Sequence, residues 1–324
     1  MAIYKFYNIQ LLPIESNVSE VGEGGYCRLF ESIGELINEC KVKNLKLSSI
    51  AVSMRGDMFF APFDVTTYEY PGLDEEKKLI YGSFLKFDDV NELVDTSSGE
   101  TEYISKGNTS SKRFNLEFVF DPCTHILAIH DTKGIPTRKP LIAALTKILD
   151  SHAKKIFKLH NLEIEELTSA DSIKEFLATP KKGYKSYSGI ITFSNSDSFD
   201  DALEREIVQK TEQELKDKKV AKWEANYKSF TKSVMNDLPD QAKIQMILAT
   251  RYGNAEVSYL DSDGIRQKYQ MEDYPVRLAL KEDVKAGRRQ KALMIKQLIV
   301  KAIERTRMKL SAIRSNKKIL NDKE

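Results

Sequence analysis

The sequence predicts an α+β protein: antiparallel sheets and hairpins packed with amphipathic helices, with room for two similar subdomains. Three observations predict it. Residues 114–120 alternate, Asp121-Pro122 marks a turn and 124–129 make a second strand, the pattern of a β-hairpin. The dipeptides Gly253-Asn254 and Asp263-Gly264 are strong turn signals between strand-like runs. Apolar residues recur at three- and four-residue steps in 29–40 and again in 292–313, which marks helices with one buried face.

In chain order, Ile3, Tyr4, Phe6, Ile9, Leu11 and Leu12 predict a first strand. Gly22, Gly24 and Gly25 link it to a helix whose stripe is Leu29, Phe30, Ile33, Leu36, Ile37 and Cys40. Strands are expected at 48–54, 58–63 and 79–87, with a tight turn at Gly56-Asp57. Residues 96–113 are rich in Ser, Thr and Gly, and read as a mobile loop or long hairpin tip. They close an N-terminal region, 1–112, ahead of a second region, 113–324. There the hairpin feeds a helix opened by Pro140, since proline suits a first turn where its missing N–H would be unpaired anyway. A strand at 156–167 follows. Ser198 is placed to cap a long charged helix, 198–235, with Trp223, Tyr227 and Phe230 on its narrow apolar stripe. Runs at 243–251, 255–260 and 265–271 read as a three-stranded meander. A strand at 275–280 then leads into a last helix, 282–313.

Composition bounds the functional class. Hydrophobic residues make up 41% and charged residues 30%, a globular balance. No stretch approaches the roughly 20 apolar residues that span a bilayer, so the chain is expected not to be membrane-spanning. The first 13 residues lack a secretory pattern. Cys27, Cys40 and Cys123 are odd in number and have no ligand spacing, which fits a reducing, cytoplasmic setting.

Catalytic signatures are missing. The glycine link has no following Lys-Ser or Lys-Thr, so it is no Walker A loop. Asp121, Cys123 and His125 could share a face, but they lack a convergent fourth metal ligand, and a turn on Asp121-Pro122 explains them better. Neither G-x-S-x-G nor H-E-x-x-H occurs. No catalytic residue, metal or cofactor is therefore assigned.

Charge is the informative feature. Net charge is +2, yet from position 281 there are 14 Lys and Arg against 5 Asp and Glu, and before it 36 against 43. Such a local basic surface attracts polyanions whatever the total. The last helix places Arg288, Arg289, Lys291, Lys296, Lys301 and Arg305 around its aliphatic stripe, and Glu304 is the only acid between Asp283 and Asp322. These cations are the expected phosphate contacts. A second candidate is Lys181, Lys182 and Lys185, where Tyr184 and Tyr187 could stack on exposed bases. Lys106, Lys112 and Arg113 make a weaker third.

From Arg113 onward, FNLEFVFDPCTHILAIHDTKG, the helix through PLIAALTKILDSHAKK, the strand at FKLHNLEIEEL and the later AKIQMILATRYGNAEVSYLDSDGI resemble in layout the RdgC-like proteins and, more loosely, the RexA-like phage-exclusion proteins. The resemblance implies a dimeric, sequence-tolerant protein that binds duplex DNA, acting as a sensor in phage defence beside a membrane or effector partner. It carries over no individual residue. Two other readings stay open: a nuclease or nucleotide-processing effector with a scattered site, and a non-catalytic subunit-docking protein.

Overall fold

The computed structural model describes residues 1–15, 17–72, 76–89, 92–104, 110–192, 214–215, 217–218, 220–281 and 286–307. The described residues within 1–4, 9–164 and 279–298 form one compact unit, and those within 5–8, 165–278 and 299–307 form the other. The α+β class holds, with antiparallel sheets and amphipathic helices.

The first unit is built on a curled antiparallel sheet. Its strands are β1 (Ala2–Pro13), β2 (Val52–Met54), β3 (Met58–Pro71), β4 (Glu76–Asp88), β7 (Arg113–Asp121) and β8 (Ile126–His130), with β9 (His160–Glu166) and β14 (Arg277–Leu280) also paired to β1. Spatial order from β1 is β1-β8-β7-β4-β3-β2. The turn between β2 and β3 holds Gly56 and Asp57 at φ 70° and 55°, as a tight left-handed turn requires. In β4, Gly82 is needed for close approach, because a Cβ there would sit 2.2 Å from the Asp64 carbonyl oxygen. β3 carries a register shift at 62–64 at that point.

Helices α1 (Glu23–Val42) and α2 (Arg138–Ile156) belong to the same unit. The predicted stripe of α1 is the one that is buried, apart from half-buried Leu36. Its Phe30 stacks on Phe120, with ring centroids 4.5 Å apart. Pro140 lies in the first turn of α2, one of the positions whose N–H has no helical partner.

β4 and β7 pair along eight residues, so position 112 falls inside one unit. Of the expected loop 96–113, residues 101–104 form β6 (Thr101–Ile104), which pairs with β5 (Glu92–Val94) in a separate two-stranded ribbon. Residues 105–109 lie outside the described residues, and Lys106 with them.

The second unit has a four-stranded antiparallel sheet ordered β11-β10-β12-β13, from β10 (Gly183–Thr192), β11 (Lys222–Lys228), β12 (Gly253–Leu260) and β13 (Arg266–Gln270). One face packs on α3 (Ala170–Ala178) and α4 (Asp240–Tyr252), around Ile173, Phe176, Tyr187, Met246 and Val257.

Two expectations are corrected here. The long helix 198–235 does not extend through 222–228, which are β11. Lys-Trp-Glu-Ala-Asn-Tyr-Lys alternates, so Trp223, Ala225 and Tyr227 face the core while the residues between them are exposed. Residues 198–213 of that expected helix lie outside the described residues. The first strand of the meander, 243–251, is instead helix α4. Residues 245–252 are all buried, so no polar stripe marked the helical period.

Candidate nucleic-acid interface

The last helix, α5 (Arg288–Arg305), forms as its stripe predicts: Ala292, Ile295, Leu298, Ile299, Ala302 and Ile303 are buried. Residues 282–285 and 308–313 of the expected helix lie outside the described residues. Its first turn has no acid and carries Arg288 and Arg289, where the helix dipole disfavours cations. Partners in the fold offset that. Arg288 Nη1 meets Asp64 at 2.8 Å, and Arg289 Nη2 donates to the Glu69 carbonyl at 2.8 Å. Lys291 pairs with Glu117, whose side chain is 10% exposed. Lys296 Nζ stands 3.8 Å above the Tyr70 ring. Arg305 meets Asp171 at 3.3 Å, and Lys301 is exposed.

The expected phosphate face is thereby divided. Lys291 is committed to a nearly buried carboxylate, and Lys296 to an aromatic ring. Arg288 and Arg305 make exposed pairs of the kind worth only about 0–1 kcal/mol, weak enough to exchange for a phosphate.

Segment 181–187 departs further from expectation. Lys181 Nζ donates to the Phe176 and Thr179 carbonyls at the end of α3, and lies within 4.2–5.8 Å of the Phe176, Tyr184 and Tyr259 rings. Burial lowers its pKa to about 8. Tyr184 and Tyr187 point into the core, and the Tyr187 hydroxyl donates to Gln245 Oε1 at 2.7 Å. Neither tyrosine is placed to stack on a base. Lys182 is exposed, and Lys185 is half-exposed with its Nζ on the Ser233 carbonyl at 2.6 Å.

What the sequence reading missed is the sheet that these lysines introduce. On its outer face, Lys228 pairs across to Ser186, Ser186 to Ser258, and Ser258 to Lys268. Two lysines thus end a row of four residues, about 14 Å apart at three strand spacings. Arg266 lies one outward position beyond Lys268 and donates to Ser258 Oγ at 3.0 Å. The next row is Asn226, Ser188, Glu256 and Gln270, with Glu256 accepting from Lys268 and Gln270 at 2.9 Å each. Those bonds, Lys268 foremost, hold the Glu256 carboxyl below its ordinary pKa. The signal was present in sequence as the polar alternates of KWEANYK and RQKYQ.

A family model described as a domain of unknown function, DUF4747, matches residues 5–299, most of the chain. The chain belongs to the DUF4747 family. The match takes in strands of both units and most of α5. No curated protein matches this DUF4747 chain.

Other chemistry in the DUF4747 fold resolves into structure. Ser32 Oγ lies 2.9 Å from His152 Nδ1, but its own proton goes to the Leu29 carbonyl at 2.7 Å. A hydroxyl bonded back to its own helix in this way is an ordinary helical serine contact, and among the described residues no third group orients the imidazole as a catalytic base. Burial also lowers the His152 pKa, with Lys155 adding to it. Asp121 is buried and accepts from the Cys123 N–H at 3.1 Å, closing the β7–β8 turn, and burial raises its pKa. His125 occupies φ 59° in that turn and stacks on Tyr26. The Cys123 thiol is pushed up to about 12 by burial, with the Glu23 carboxylate adding to the effect, which is wrong for a nucleophile. No metal-ligand cluster occurs among the described residues. Gly22, Gly24 and Gly25 open α1.

Proposed function

We propose that this DUF4747 chain binds nucleic acid through its phosphates, without base specificity, and serves as a DNA-binding sensor in a phage-defence or exclusion system. One observation carries the binding reading: the outer face of the four-stranded sheet presents Lys228, Lys268 and Arg266 beside exposed Lys182, with half-buried Ser186 in the same row and exposed Ser188 and Asn226 in the next, while Ser258 is buried beneath Arg266. Lysine and arginine give affinity, and hydroxyls and amides add phosphate hydrogen bonds. No aromatic ring is offered to bases in these rows, which favours backbone contact over base readout. The more exposed cations of α5, Arg288, Arg289, Lys301 and Arg305, are available for additional contacts. The defence role rests on the layout resemblance to RexA-like and RdgC-like proteins.

The test is fluorescence anisotropy with two unrelated duplexes and one single strand. Equal affinity for both duplexes is expected. So is a log–log salt slope of about −0.9 per phosphate contacted. Absence of binding at low salt would overturn the reading. Magnesium-dependent loss of the probe would replace it with a nuclease.

A further inference from the structure

We propose that the β5–β6 ribbon is an acidic arm that docks on the cationic end of the four-stranded sheet of a second copy of this chain. The proposal rests on the nucleic-acid reading in one respect: the arm and DNA would use the same cations.

The ribbon is anomalous by itself. Among the described strands it is a two-stranded sheet of its own, and a two-stranded hairpin is marginal in water. All four residues of β6 are exposed, Ile104 at 72%, and Leu93 pairs across to Tyr103. Residues 88–104 hold Asp88, Asp89, Glu92, Asp95, Glu100 and Glu102 and no Lys or Arg. Asp88 is tied to Ser110, Ser111 and the Lys112 N–H, and Asp95 caps its own turn at Ser97 and Ser98. Glu92, Glu100 and Glu102 are exposed. An occupant must therefore be cationic and carry apolar surface.

The sheet end has both. Phe230, 86% exposed, follows Lys228, and Ile265, 60% exposed, precedes Arg266. Glu100 and Glu102, ahead of Tyr103 and Ile104, thus match Lys228 ahead of Phe230 and Arg266 after Ile265, where the nearby Asp261 carboxylate is taken up by its own turn. In a two-fold dimer the contact forms twice, which suits a small surface. DNA would then compete with self-association, so the free protein stores its phosphate-binding face in the dimer.

The experiment is sedimentation equilibrium of the full chain at low and high salt, on wild type, an arm variant (Glu100→Lys with Glu102→Lys), a face variant (Lys228→Glu with Lys268→Glu), and the two variants mixed. Wild type should dimerise at low salt and dissociate at high salt. Each variant should self-associate at least tenfold more weakly, and the mixture should regain association. Duplex DNA should dissociate the wild-type dimer. A monomeric wild type, or a dimer indifferent to the arm variant, overturns the proposal. If the arm variant changes nothing yet DNA binds, this inference alone fails. If the charge swap restores the dimer but DNA never binds, the nucleic-acid reading alone fails.

Discussion

Two basic regions of this molecule look alike in composition and differ in what their charges do. Along α5, Arg288, Lys291 and Arg305 each meet a carboxylate of the fold, and Lys296 sits on a ring. On the sheet of the second unit, Lys228 and Arg266 are exposed, and Lys268 shares one carboxylate, Glu256, with Gln270. Counting cations therefore overstates α5 and understates the sheet. A positive charge supports ligand binding only to the extent that the fold has not already neutralised it.

The contrast can be broken where it is strongest. Lys291→Met would leave Glu117 nearly buried without its cation, and one of its oxygens already has no hydrogen-bond partner. A loss on the order of 2–3 kcal/mol in chemical denaturation is expected, largely recovered by adding Glu117→Gln. Unchanged stability would show that the pair is not structural.

A smaller, local effect should follow acidification. Burial alone would raise the Asp88 pKa, but bonds from the Ser110 and Ser111 hydroxyls and the 111 and 112 N–H groups outweigh it and hold it at about 2. A depressed carboxyl contributes stability present above its unfolded value near 4, lost as pH falls towards 2. The protection factors of the 111 and 112 amides should fall across that window in wild type, and already be low at neutral pH in Asp88→Asn.

The smallest effect belongs to Arg305→Ala. Its pair with Asp171 is more than half exposed on both sides, so stability should change by less than about 0.5 kcal/mol. A larger loss would mean that α5 is committed to structure along its whole length.

Much of the fold was legible because its signals are local. The α1 and α5 stripes, the β7–β8 hairpin and the Gly56-Asp57 turn each follow from a few neighbouring residues. Elsewhere the local signal misled. Trp223, Tyr227 and Phe230, spaced four and three apart, fit a helix, while Trp223, Ala225 and Tyr227 fit the strand that forms. Helix α4 is buried through 245–252 and so has no period to read. The candidate site was less legible still. Arg288 and Asp64 are 224 residues apart, and Lys291 and Glu117 are 174 apart, so pairing that spends a charge leaves no mark in the sequence near it. Lys228 and Lys268 join one row only through the register of three strand pairs.

The most direct test compares the two surfaces at one salt concentration. Duplex affinity is measured for Lys228→Glu with Lys268→Glu, and for Arg288→Glu with Lys301→Glu, each checked for a wild-type unfolding midpoint. The sheet variant should lose at least thirtyfold in affinity, and the helix variant less than fivefold. Full binding by the sheet variant, with loss confined to the helix variant, would contradict the account and return the interface to α5.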